Sequence, residues 1–299
     1  MSRALPDPAV LALRGTSWLN GFLPSSGKRR AQIIDSLAGT TLGQTLLLSK
    51  DVVRYDGDGK LVWFRTPSGQ AVSTLMFYLH GGAYIMGSAA THANILSKLA
   101  RMDGCAVAAF EYTLVHNQPL ETMVDQCVRA YQRFAASFPH HTVVLAGDSA
   151  GGALALNVAM AVAHTAPPTA LLLLSPWVNV DADLNFRKAN DFLTRNMVGR
   201  VKASLCPNTQ CPSAASPSNA PDSQLEGLPP TLVVYGTGEV LRPQIAEFVQ
   251  KLRRLGVSVS VEVGTDMPHV FPIVEPWSAR TKAAYSHIQR WLESLRSQR

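Results

Sequence analysis

Long apolar runs, cysteine and charge are what this sequence has little of. No apolar stretch reaches the roughly 18 residues needed to span a bilayer before a charge or proline breaks it. The stretch Val10 to Leu13 is too short for the apolar part of a secretory leader, so the cytoplasm is the expected compartment. Four cysteines in 299 residues cannot make a disulfide scaffold. There is no Cys-x-x-Cys, and the histidines do not cluster with cysteine, which argues against a metal site. Cys105 and Cys127 lie in apolar runs and read as core thiols. Cys206 and Cys211 share one loop and could pair, although reduced thiols are the expectation in a cytosolic chain. Only 16% of the residues are charged, while 46% are apolar, which excludes an intrinsically disordered protein. The net charge is +6, yet Lys and Arg are scattered, and the densest cluster is Lys28-Arg29-Arg30. Nucleic acid is therefore not an expected partner. No Gly-X-Y period, heptad run or internal repeat occurs.

What the chain does contain is a series of short buried-looking runs. Val52-Val53 and Leu61 to Phe64 flank Asp56-Gly57-Asp58-Gly59, a hairpin signal, because Asp-Gly supplies the positive φ of such turns. Then come Leu75 to Leu79, Ala106 to Phe110, Val143 to Ala146, Leu171 to Leu174, Thr231 to Tyr235 and Val257 to Val263. Runs without polar alternation are expected of strands buried on both faces. Between them lie helix-like stretches: Thr91 to Met102, Leu120 to Phe138, Gly152 to His164, Pro243 to Leu255 and Ala279 to Ser297. Strand and helix in alternation predict an α/β fold, a mostly parallel doubly wound sheet, with ligands bound beyond the carboxyl ends of the strands. Residues 1–48, which read as helical, and 179–228, rich in Pro, Ser and Asn, do not fit the repeat. They are expected to form a helical lid over a core of residues 49–299.

The chemistry-bearing residues fall at the strand ends. Gly147-Asp148-Ser149-Ala150-Gly151 is a G-x-S-x-G between a buried run and a small-residue helix. A sharp strand-to-helix turn lifts a serine hydroxyl clear of the backbone, and flanking glycines let the turn pack. A serine needs a base, and His269 follows the last strand in a loop, where the base belongs in the order Ser, acid, His. His287 sits in the terminal helix and reads as surface. The acid is expected at Glu239, after the preceding strand; Asp266, three residues before His269, is its rival. His80-Gly81-Gly82-Ala83 ends an earlier buried run, so the backbone N–H groups of Gly81, Gly82 and Ala83, with Ala150, are candidates for an oxyanion hole. Tyr84, Trp177, Phe192 and Val270 are candidates to contact substrate, although several of the lid aromatics are equally explained as the lid's own core.

Taken together, these motifs resemble the hormone-sensitive-lipase branch of the α/β-hydrolase fold. The matching pieces are His80-Gly81-Gly82-Ala83-Tyr84, Gly147 to Gly152, Ser175-Pro176-Trp177, Leu228 to Leu232 and Pro268 to Phe271. The resemblance implies Ser149 as nucleophile, His269 as base, Glu239 as acid and no cofactor. It implies a small-molecule carboxylic ester as substrate. If Trp177, Phe186 and Phe192 at the second lid segment and Trp18 and Phe22 in the first line a pocket, its acyl or alcohol group is expected to be apolar and of short to medium length. Three departures stand out. Ala83 replaces the usual third glycine, Glu239 the usual Asp, and Glu111 to Asn117 replaces a stretch usually close to Asp-Tyr-Arg-Leu-Ala-Pro-Glu. The altered loop leaves open a thioesterase, acyltransferase or lactone-forming reading. A ligand-binding receptor with no turnover is a third, weaker one. The oligomeric state is left open, a dimer included.

Overall fold

A computed structural model of the protein describes residues 52–67, 71–182, 191–206 and 211–297. The expected N-terminal lid part, with Trp18 and Phe22, lies outside these residues, as does Phe186 in the second lid segment. The core is one eight-stranded sheet in the order β1-β2-β4-β3-β5-β6-β7-β8. A hairpin of β1 (Val53–Asp56) and β2 (Leu61–Arg65) opens it. Its turn carries Gly59 and Lys60 at positive φ, and the Gly57 N–H closes on the Leu61 carbonyl at 2.7 Å. β2 runs antiparallel to β4 (Cys105–Phe110). From there β3 (Thr74–Leu79), β5 (Thr142–Asp148), β6 (Ala170–Leu174), β7 (Thr231–Gly236) and β8 (Val259–Gly264) pair in parallel.

The continuous apolar runs divide between two layers, because successive side chains of a strand point to opposite faces. On one face Leu75, Phe77, Leu145, Leu171, Leu173 and Val233 pack under α2 (Leu120–Ser137), α3 (Ala150–Val162) and α6 (Arg242–Arg254). On the other, Met76, Tyr78, Val144, Leu172, Leu174 and Val234 pack against α1 (Ala93–Ala100) and α8 (Ala279–Ser297). Phe77 meets Phe110, Tyr131 and Phe134 with ring centroids 5.2–5.8 Å apart. Fully burying one such ring stabilises the fold by roughly 1.5–3 kcal/mol. The Ser278 hydroxyl caps the start of α8 by accepting the Thr281 N–H at 3.0 Å.

Two expectations need correction. β8 is not buried on both faces: it is the sheet edge, only Gly264 in it is fully buried, and Val263 is exposed. The strand is only partly covered, by α6 on one face and α8 on the other. The second concerns Cys206 and Cys211, which are joined in a disulfide rather than reduced. α4 (Arg195–Leu205) is followed at its C-cap by Cys206, whose Cα lies 4.5 Å from that of Cys211, within disulfide reach. Cys105 and Cys127 are buried and free, and burial pushes the Cys105 thiol up to about 12. Between β6 and β7 lie α4, two short 3₁₀ turns and α5 (Asp222–Leu225). No helix among the described residues is long and apolar enough to cross a membrane.

Candidate active site

β5 delivers Ser149 at a backbone conformation an L-residue rarely takes, φ 51° and ψ −120°. Strain of this kind costs on the order of 1–3 kcal/mol and persists only when the surroundings over-determine it. Here they do. The Ser149 N–H donates to the Leu174 carbonyl and its own carbonyl accepts the Trp177 N–H, both at 2.9 Å. A Cβ on Gly147 would come within 2.4 Å of the Gly151 carbonyl oxygen, and one on Gly151 within 2.1 Å of that of Leu79. The turn closes only because both positions are glycine. Behind it α3 starts at Ala150, so the positive end of its dipole faces the serine.

His269 and Glu239 arrive on two interlocked loops. The β7 loop donates its Gly238 N–H to the Met267 carbonyl at 3.0 Å, and a side chain at Gly236 would collide with that same carbonyl. This contact sets Glu239 beside His269. The His269 Nε2 lies 2.9 Å from the Ser149 Oγ, and its Nδ1 lies 3.0 Å from the Glu239 Oε2. Asp266 is excluded as the acid because it points to solvent, with only its backbone N–H engaged by Thr237. His287 pairs with Glu262 on the far side of β8 at 2.7 Å, away from Ser149.

Both members of the buried His–Glu pair are perturbed. For His269, burial opposes the charged form, yet the Glu239 carboxylate outweighs it. With help from Asp191 and Asp148, it holds the imidazole pKa above its usual value. Burial pushes the Glu239 carboxyl up, offset in part by the His269 hydrogen bond and by the nearby Ser175 hydroxyl. Glu239 Oε1 completes no well-formed hydrogen bond among the described residues. Ser175 is fully buried and accepts the Val270 N–H at 3.0 Å, so it braces the base loop from β6.

The loop after β3 is left-handed at three successive positions: Gly82 at φ 117°, Ala83 at 56° and Tyr84 at 64°. The N–H groups of Ile85 and Met86 both close on the Gly82 carbonyl at 3.1 Å. The Gly81 N–H is already given to Asp148 Oδ1 at 2.9 Å, so Gly81 shapes the loop without offering a donor. Among the described residues no acceptor takes the N–H groups of Gly82, Ala83 or Ala150. Asp148 is buried and also receives the Tyr78 hydroxyl at 2.8 Å, with His92 Nε2 at 3.4 Å. Tyr112 backs the loop, its hydroxyl donating to the His80 carbonyl at 2.6 Å and its ring stacking on that of His80. Glu111 Oε1 accepts the Ala89 N–H at 2.8 Å. The divergent stretch from Glu111 therefore braces the His80–Tyr84 loop from behind.

The substrate-contact candidates separate. Tyr84 and Trp177 are buried, their rings 6.3 Å apart, and belong to the core. Val270 is buried at φ 46° and serves Ser175 through its backbone. Phe192 alone of the four is open, 45% exposed, with its ring 6.1 Å from that of His269. One residue beside the site has no sequence signal: Asp191, whose carboxylate accepts backbone N–H groups of both His269 and Val240. Only tertiary contact reveals it. No group of three metal-ligating side chains occurs among the described residues.

Known proteins resemble this chain in sequence and in fold. A family model described as alpha/beta hydrolase fold matches residues 76–273. An acetyl-hydrolase of Streptomyces hygroscopicus is 34% identical over 225 residues, 72% of this chain and 73% of that protein. An esterase of Acinetobacter venetianus is 29% identical over 236 residues, 76% and 77% of the two chains. The crystal structure of an esterase from the bacterial hormone-sensitive lipase family is 27% identical, with a TM-score of 0.79 over 98% of this chain and 99% of that one. An elbow serine, a left-handed amide loop and interlocked acid and base loops thus occur in a chain that belongs to the α/β-hydrolase fold family, among the esterases of its hormone-sensitive-lipase branch.

Proposed function

We propose that the protein is a serine carboxylesterase working through an acyl-enzyme. The observation that carries this is the unbroken chain Ser149 Oγ, His269, Glu239, with links of 2.9 and 3.0 Å at a strained elbow. His269 Nε2 takes the Ser149 proton as Oγ attacks the ester carbonyl carbon. The N–H groups of Gly82, Ala83 and Ala150 receive the developing oxyanion. Collapse breaks the bond to the alkoxy oxygen, and His269 returns the proton to the leaving alcohol. Water, deprotonated by His269, then attacks the acyl-enzyme and releases the carboxylic acid and free Ser149. Glu239 holds the imidazole with Nδ1–H toward itself and stabilises the imidazolium between the proton transfers. The exposed Phe192 ring beside His269 supports an apolar acyl or alcohol group, and the acetyl-hydrolase relative supports a short one. On the same reading, the described residues 191–206 and 211–228 form part of a lid.

The test is hydrolysis of p-nitrophenyl esters from acetyl to dodecanoyl by wild type and Ser149→Ala. The expected result is a loss on the order of 10⁴-fold or more at an unchanged melting temperature, because triad members act as a unit. Turnover retained by Ser149→Ala would sink the assignment. An optimum at long chains would overturn the short-to-medium reading.

A further inference from the structure

Asp191 lies in the lid segment, half-buried and just ahead of α4. Its Oδ1 accepts the His269 N–H at 3.1 Å and the Leu193 N–H at 3.2 Å, and its Oδ2 accepts the Val240 N–H at 2.8 Å. One carboxylate therefore ties together the base loop, the acid loop and the lid. Phe192, the next residue, lays its ring near that of His269. Thr194 caps α4 by accepting the Met197 N–H at 3.2 Å. The segment runs without a break from the triad's backbone into the lid helix.

We propose that Asp191 is a positioning residue that sets the spacing of Glu239 and His269 and makes that spacing depend on a seated lid. The inference rests on the triad reading above. Glu239 reaches His269 on a side chain one methylene longer than Asp, so where its backbone is anchored decides whether Oε2 meets Nδ1. The Val240 N–H is the adjacent anchor, and Asp191 holds it. Ser175 braces the same base loop from the β6 side through Val270. His269 is thus gripped from the sheet side and, through Asp191, from the segment that leads into α4. Hydrogen bonds to a carboxylate are short, directional and stronger than neutral ones. A displacement of about 1 Å at such a site can cost on the order of a hundredfold in rate.

The competing role is a loop cap, in which Asp191 merely closes the turn to Leu193. Asp191→Ala and Asp191→Asn separate the two. Asparagine keeps an acceptor for His269 and Leu193 but loses the negative charge and presents an amide donor to the Val240 N–H. The charged and polar groups facing His269 are Glu239 from the β7 loop, Asp191 from the lid, and Asp148 and the Ser149 hydroxyl from the elbow. The three carboxylates favour the imidazolium. Removing one lets His269 lose its proton at lower pH, so the acid limb of the pH profile moves down.

The measurements are kcat and KM for p-nitrophenyl acetate across pH, the rate of inactivation by diethyl p-nitrophenyl phosphate, and melting temperature. Wild type, both Asp191 variants and Ser149→Ala are compared. Asp191→Ala is expected to lose roughly 10- to 100-fold, in kcat rather than KM, with inactivation slowed in proportion. Asp191→Asn is expected to lose less and to shift the acid limb to lower pH. An Asp191→Asn profile superposed on wild type overturns the proposal. So does an Asp191→Ala loss confined to KM with unchanged inactivation. If Asp191→Ala does not fold, Asp191→Asn decides alone. Turnover by Ser149→Ala would instead bring down the triad reading beneath it, a result distinct from either.

Discussion

On the triad proposed above, Glu239 stands where the resemblance leads one to expect Asp, and the geometry accommodates the longer side chain. The longer side chain is fully buried, with its backbone anchored by Asp191 at the next residue. Its carboxylate is the main reason the His269 pKa stands above the usual value against the effect of burial. Turnover needs the neutral imidazole, so activity should rise with pH through that raised value. Glu239→Gln should therefore lower kcat by about 10³-fold and move the acid limb of kcat/KM to lower pH. An unmoved limb would mean that Glu239 is not the group facing His269 in solution. Ser149 and His269 were legible in the sequence because their chemistry is local: a turn flanked by glycines and a histidine after the last strand. Choosing Glu239 over Asp266 needed only the strand order, which places one carboxylate after β7. Asp191 was not legible. Nothing in Asn190-Asp191-Phe192 signals that the carboxylate will meet two amides, 49 and 78 residues onward in sequence.

The elements around the site differ in how much room they leave, and the glycines measure it. Gly151 sits where β3 and the start of α3 meet backbone to backbone. A methyl there would stand 2.1 Å from the Leu79 carbonyl, which cannot swing away as a side chain could. Gly199 lies in the exposed middle of α4, with nothing within 4 Å of its would-be Cβ. Urea denaturation should show Gly151→Ala losing about 3 kcal/mol or more, or failing to fold. Gly199→Ala should gain up to ~1 kcal/mol from helix propensity. A neutral Gly151→Ala would refute the close packing at the elbow. Five of the six parallel strands, β3 to β7, were legible as apolar runs because burial on both faces leaves little room for polar residues. β8 was misjudged because an edge strand only partly covered on its two faces carries nearly the same composition. The Cys206–Cys211 pairing was open in the sequence, because whether two thiols meet depends on where the intervening loop leads.

Across the whole molecule, acid stability should depend strongly on His80, buried at the start of the left-handed loop after β3. Burial drives the His80 pKa down to about 3, with His92 adding to the effect. The unfolded chain takes up that proton near pH 6.5 and the folded one does not. The contribution of His80 to stability is therefore complete above about pH 6.5 and is lost as pH falls toward 3, by up to ~1.4 kcal/mol per pH unit. His92 and His269, both raised, act in the opposite sense. The check is the slope of stability against pH between 6 and 4. His80→Asn should be less stable at pH 8 but flatter toward acid, and an equal slope would assign acid sensitivity to other groups.

The left-handed run from Gly82 to Tyr84 also bears on how the enzyme spends its time. Ala83 and Tyr84 hold unfavourable backbone conformations, and the Gly81 amide is tethered to Asp148. The entropy of aiming the loop's N–H groups is thus settled once, when the chain folds, rather than at each turnover. On the mechanism proposed above, a substrate carbonyl meets donors whose directions the fold has already set.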